Sequence, residues 1–145
     1  MIEVFSKFLH VVPLKSKTGQ AVTSSFQTTF TDKYSKPHKR RPLSLRTDKG
    51  KEVLNKNFQD MLKREGIQFQ ICKNPDLKFS VVEPVQRTLR ETFNKYFTYK
   101  NSYKYTDALH KFVKSYNGTV HTITGIAPSN VADSDILTIW KRMNA

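Results

Sequence analysis

The chain has 145 residues, a length that fits one domain, and 37% hydrophobic with 12% aromatic residues is enough to fill a core. A formal charge of +13 and an isoelectric point near 9.9 point to a polyanionic partner, nucleic acid ahead of an anionic membrane surface, with a merely solvated basic protein as the plainer account. A single cysteine, Cys72, excludes an internal disulfide and a Cys-based zinc site, the four scattered histidines lack ligand spacing, and no signal peptide or membrane-length apolar run is present, so the expected setting is intracellular, and nuclear if DNA is the partner.

In chain order, residues 1–14 predict a β-hairpin built on Ile2, Val4, Phe8, Val11 and Val12, turning at Ser6-Lys7 and ended by Pro13. Thr18 suits an N-cap. Ala21, Val22, Ser25, Phe26, Thr29 and Phe30 then follow at helical spacing, giving a helix that ends near Tyr34. Residues 33–51 hold eight Lys/Arg against one acid, Asp48, and Pro37 and Pro42 break any helix there. Lys39, Arg40, Arg41 and Lys49 of this stretch are candidates for phosphate contact, on equal terms with a solvated loop or a nuclear-targeting patch.

A short strand over 43–47 carries Asp48 at its end. A helix over 55–65 turns Phe58, Met61 and Leu62 inward, Gly66 is a suitable C′ residue, and 67–71 alternates like a half-buried strand. After a turn-rich segment at 73–79, Val82, Val85, Leu89, Phe93, Tyr96 and Phe97 form the apolar stripe of a long helix. Glu83 opens this helix, and Arg87 and Arg90 lie four and seven residues on, along the same face. A carboxylate with two guanidinium groups above it suits a metal at the helix start and a phosphate backbone beyond. Taken alone, a charged solvent face explains it as well, and Ser80 with Glu83 also fits a capping box. Tyr99, Tyr103 and Tyr105 lead to a helix over 106–116 with Leu109, Phe112, Val113 and Tyr116 inward; the tyrosines suit packing better than base stacking. His121 suits loop hydrogen bonding better than metal. The last helix, 134–143, carries Ile136, Leu137, Ile139 and Trp140. Its charges balance, Asp133 and Asp135 against Lys141 and Arg142, which suits packing or dimer contact rather than DNA contact.

Asp48 at a strand end and Glu83 at a helix start, with 34 residues between them, are the kind of carboxylates that can meet and hold divalent metal. Two such ions, about 3.5–4 Å apart, stabilise the attacking and leaving oxygens of an in-line phosphoryl displacement. Mg²⁺ suits this because it takes few carboxylates and leaves positions for water and phosphate.

The run Thr47-Asp48-Lys49-Gly50-Lys51-Glu52, followed by Val81-Val82-Glu83-Pro84-Val85-Gln86-Arg87-Thr88-Leu89, resembles the last two acidic positions of a retroviral-type integrase core. The resemblance to that family covers nearly the whole chain and also includes 2–8, 17–21, and Tyr116-Asn117-Gly118 through Ile126-Ala127-Pro128. In style the match is nearest to integrases of Maverick/Polinton transposons, then of LTR retrotransposons. The resemblance implies an α/β fold, a ribonuclease H-like mixed sheet flanked by helices, spanning 1–145 as one core. It implies Asp48 and Glu83 as catalytic Mg²⁺ or Mn²⁺ ligands, Arg87 and Arg90 as DNA contacts, and DNA partners at element ends and target. Homo-oligomers, 3′-end hydrolysis and strand transfer follow from the same resemblance.

The pattern breaks in places. The segment before Thr18 has room for two strands, while the family has three and puts its first catalytic Asp on the first. That strand is expected upstream of Met1, leaving the chain inactive or nearly so. Glu3 is a weak substitute. Pro84, where the family has a polar residue, pushes Glu83 toward an N-cap conformation. The family's zinc module is absent. The competing expectation is a catalytically dead DNA- or chromatin-binding remnant, with a ribonuclease H-like nuclease third.

Overall fold

The structure, a computed structural model, describes residues 1–31, 42–72, 82–101 and 106–145, except for the side chains of Thr31, Glu83 and Asp107. Lys39, Arg40 and Arg41, the 73–79 segment, Ser80, Tyr103 and Tyr105 lie outside the described residues. The chain divides into two compact units, Val12–Phe79 and Met1–Val11 with Ser80–Ala145.

The Val12–Phe79 unit holds two helices and a two-stranded parallel sheet. Helix α1 (Gly19–Thr31) starts where expected: the Thr18 hydroxyl accepts from the Ala21 N–H at 3.2 Å. Its Thr23 and Thr29 hydroxyls donate to carbonyls one turn back, which lets them stay buried beside Val22 and Phe30. Strand β1 (Ser44–Thr47) pairs in parallel with β2 (Gln68–Ile71), Leu45 opposite Phe69 and Thr47 opposite Ile71. Helix α2 (Lys56–Arg64) joins them. Asn55 caps it by accepting from the Phe58 N–H at 3.0 Å, and Gly66, at φ +68°, releases the chain into β2. Phe58, Met61 and Leu62 are fully buried, with Phe26 and Phe69 edge-on to the Phe58 ring. The βαβ unit expected from the local signals is thus present.

The second unit begins with the hairpin, which is narrower than expected. A single antiparallel bridge joins Ile2 to Leu9, flanked by the paired backbones of Met1 and His10. Lys7 sits at φ +63°, and the Lys7 N–H closes the turn on the Glu3 carbonyl. Val12 is exposed and makes no strand. The reason lies far along the chain. Asn117 accepts from the Leu9 N–H (2.8 Å) and donates to the Leu9 carbonyl (3.0 Å), so its buried amide takes the place of a neighbouring strand.

Helix α3 (Val82–Lys100) and helix α4 (Thr106–Gly118) meet through aromatics, the Phe112 ring lying 5.2 Å from Phe93 and 5.4 Å from Tyr96. Val85 and Leu109 are their buried contributions. The connector then folds on itself. The His121 N–H donates to the Ile126 carbonyl and the Gly125 N–H to that of His121. Fully buried Thr124 exchanges hydrogen bonds with the Ile126 backbone. Gly125, at φ +71°, takes a backbone conformation that other residues rarely adopt, and the Arg142 guanidinium lies against it. The last helix is shorter than expected: α5 covers Ile136–Met143, and Asp133–Asp135 is a tighter 3₁₀ turn in which the Asp135 carboxylate accepts from the Ala132 N–H. Only Ile139 of its apolar residues is buried; Ile136, Leu137 and Trp140 are exposed. No described helix is long and apolar enough to cross a membrane.

Candidate metal and nucleic-acid site

Asp48 follows the last residue of β1, and the sheet fixes it there: Cys72 N–H donates to the Thr47 carbonyl at 2.9 Å, one residue beyond the last ladder pair. The Asp48 side chain is exposed and accepts no hydrogen bond or ion pair from the described residues. A carboxylate held by its backbone, exposed and without a partner among the described residues, suits a ligand.

The next turn explains the rest of the motif. The Val53 and Leu54 N–H groups donate to the Gly50 carbonyl. A Cβ on Gly50 would stand 2.6 Å from the Glu52 carboxylate, so only glycine lets Glu52 fold back over the turn. There Glu52 pairs with Lys17 at 3.2 Å. Its own backbone N–H, and then Lys17, hold it below the usual carboxylate range. Asn55, while capping α2, also donates to the Glu52 carbonyl at 2.6 Å. Of the two acids in Thr47–Glu52, Asp48 is without a partner among the described residues, while Glu52 ties the turn to the start of α1. The sequence reading missed Glu52 because its partner, Lys17, lies before α1.

Glu83 lies inside the first turn of α3, since Val82 is already helical. Pro84 does not displace it to an N-cap, because proline is at home in a first turn. Arg87 and Arg90 follow on α3 with exposed side chains, and Lys49 is exposed next to Asp48. Asp48 belongs to the Val12–Phe79 unit and Glu83 to the other. Among the described residues, no three His, Cys, Asp or Glu side chains are grouped to hold a metal.

Glu3 is engaged elsewhere: the Ser6 hydroxyl donates to one of its oxygens at 2.7 Å, and His10 Nε2 lies 3.1 Å from the other. His121 does what a loop histidine does, accepting the Ile123 N–H at Nδ1 (3.3 Å). Burial, and then the positive charge of Lys7, hold it below the usual histidine range. Lys7 itself is buried, which lowers its ammonium below the usual lysine range. Nothing in its neighbourhood in sequence announced that burial.

No family model matches the chain. Over 137 residues, 94% of its length, the chain is 31% identical to an uncharacterized transposon-derived protein of Caenorhabditis elegans, and it spans 46% of that relative. Among solved structures it is similar to the HTLV-2 integrase catalytic core in complex with magnesium, in a trimeric form. The TM-score is 0.68 at 20% identity, covering 88% of this chain and 78% of that one. It is also similar to the catalytic core of BIV integrase, with TM-score 0.70 at 18% identity, covering 99% and 87%. The chain has the ribonuclease H-like α/β fold of an integrase catalytic core, and its sequence is similar to that of a transposon-derived protein.

Proposed function

We propose that residues 1–145 are the core domain of a transposon-derived integrase, acting on DNA in the nucleus with Asp48 and Glu83 as its acidic ligands. The observation that carries this reading is the exposed carboxylate of Asp48 at the end of β1, without a partner among the described residues, in a fold shared with a magnesium-bound integrase core. Asp48 and Glu83 would hold Mg²⁺ or Mn²⁺, whose chemistry is to stabilise charge on the oxygens of a phosphodiester under attack. Arg87, Arg90, Lys49 and the Lys39–Arg41 patch would grip the backbones of element-end and target DNA. Homo-oligomers fit the same reading, and the Maverick/Polinton group remains the nearest in motif style.

The second reading is a DNA- or chromatin-binding protein without catalysis. It is supported by the net charge of +13, which suits a polyanionic partner with or without a metal. Both readings expect DNA affinity that falls as salt rises, and Arg87→Ala with Arg90→Ala should lower the log–log salt slope by about two. Calorimetric titration of Mg²⁺ and Mn²⁺ into the chain and into Asp48→Asn separates them. Binding that the substitution removes supports the integrase reading. A folded chain that binds DNA and no metal supports the second.

A further inference from the structure

Lys7 carries two penalties at once. It sits at φ +63° in the hairpin turn, a left-handed conformation that residues with side chains rarely adopt, and it is only 3% exposed. Its backbone N–H closes the turn on Glu3, but its ammonium has no hydrogen-bond or ion-pair partner among the described residues. Glu3, the acid of the same hairpin, gives its oxygens to Ser6 and His10 instead. A buried charge without a counter-charge is strongly unfavourable, which is why such groups are normally paired.

The groups next to it are also donors. The charge of Lys7 acts on His121, in the connector after α4. His121 accepts the Ile123 N–H at Nδ1, so its neutral ring carries the proton on Nε2 and offers a donor there. Four residues on, the Gly125 N–H donates to the His121 carbonyl at 2.7 Å, and the Arg142 guanidinium lies against Gly125. Arg142 has no partner among the described residues, and none of their carboxylates pairs with Lys7, His121 or Arg142. Thr122, Ile123, Gly125 and Arg142 are exposed and His121 is half-buried, so the connector reaches solvent while Lys7 lies below the surface. Three donor groups, two of them cationic, thus meet one short loop without an acceptor to match.

We propose that Lys7, His121 and Arg142 form a binding site for a small tetrahedral oxyanion of the phosphate class. The anion supplies the counter-charge that the hairpin turn lacks and fastens the turn to the connector through charge-assisted hydrogen bonds. The burial of Lys7 sets the size of the occupant. The phosphodiester backbone of a duplex is too wide to follow the ammonium below the surface, whereas inorganic phosphate or a terminal phosphomonoester fits. None of the three residues belongs to the metal or DNA contacts proposed above, so the site stands whether or not that reading holds.

Melting of the 145-residue chain at pH 7 in sodium phosphate, against sodium chloride of equal ionic strength, tests it. Phosphate should raise the midpoint saturably, by about 2–4 °C. The His121 ring signals in the proton NMR spectrum should shift with the same concentration dependence. Lys7→Met should weaken phosphate binding by at least about tenfold and Arg142→Gln several-fold. Arg142 is exposed, so its substitution tests the site even if Lys7→Met disturbs the fold. Lys114→Met, which takes the same charge from an exposed position on α4, should change nothing. Equal loss from Lys7→Met and Lys114→Met would reveal only general attraction to a chain of net charge +13 and would overturn the proposal. Equal midpoints in phosphate and chloride would overturn it too, as would a duplex without terminal phosphates that moves the His121 signals in a Lys7-dependent way.

Discussion

The two compact units reach a packed interior by different routes. Val12–Phe79 is one continuous segment, and its core residues Phe58, Met61 and Leu62 lie on a single capped helix within reach of the strands it connects. The other unit is discontinuous. It closes through side chains that stand in for backbone, above all the Asn117 amide on Leu9, 108 residues away. Charge divides unequally as well: fifteen Lys/Arg against six Asp/Glu in the continuous unit, ten against six in the other. Apolar burial tolerates loose geometry, whereas a buried amide that replaces a strand does not, so the two units should fail differently.

The largest effect is expected in the continuous unit. Phe58→Ala removes a fully buried ring flanked by Phe26 and Phe69 and should destabilise by about 3–5 kcal/mol. Denaturant unfolding measures it. Hydrogen exchange should show α1, α2 and the two strands losing protection first; equal loss in α4 would break the distinction drawn above.

Asn117→Ala should come next, at about 2 kcal/mol, since it strands a buried N–H and a buried carbonyl on Leu9. Asn117→Asp is the sharper test. It keeps the acceptor, loses the donor and places a charge beside the Leu9 carbonyl, so a variant as stable as the parent would show that the clamp contributes little.

The smallest effect has the opposite sign. Lys7 is buried with its ammonium below the usual range, so the unfolded chain binds more protons there than the folded one. Stability should therefore rise as pH climbs from that lowered value toward the ordinary lysine value. Tyr116, pushed up by burial, acts the other way: above the ordinary tyrosine value the unfolded chain gives up that proton before the folded one, and stability falls. Lys7→Met should be neutral or stabilising by about 1 kcal/mol at pH 7 and should flatten the rise, read as thermal midpoints between pH 7 and 10. A midpoint that falls over that range in the parent chain would contradict the burial.

The same division explains what could be read from the amino acids. The βαβ segment was legible because its signals are local: Asn55 as cap, three apolar residues at helical spacing, Gly66 at the stop. The hairpin was legible only as a hairpin, because Asn117 decides where its second strand ends. The α5 stripe was legible as apolar, but periodicity cannot say whether water, the unit or another chain covers it. At the candidate site, the position of Asp48 at a strand end follows from the strand before it. The restraint on Glu52 does not, because it rests on Gly50 leaving room and on a lysine from before α1.

The Asn117 clamp also sets a timetable. Leu9 leaves the ribosome 108 residues ahead of the side chain that satisfies its backbone. At about 5–20 residues per second, the hairpin waits roughly 5–20 s with Phe8 and Leu9 unprotected, while the segment behind it already has all its own partners. During synthesis the hairpin emerges well before the side chain that secures it, and a chaperone that holds short apolar segments would find it waiting.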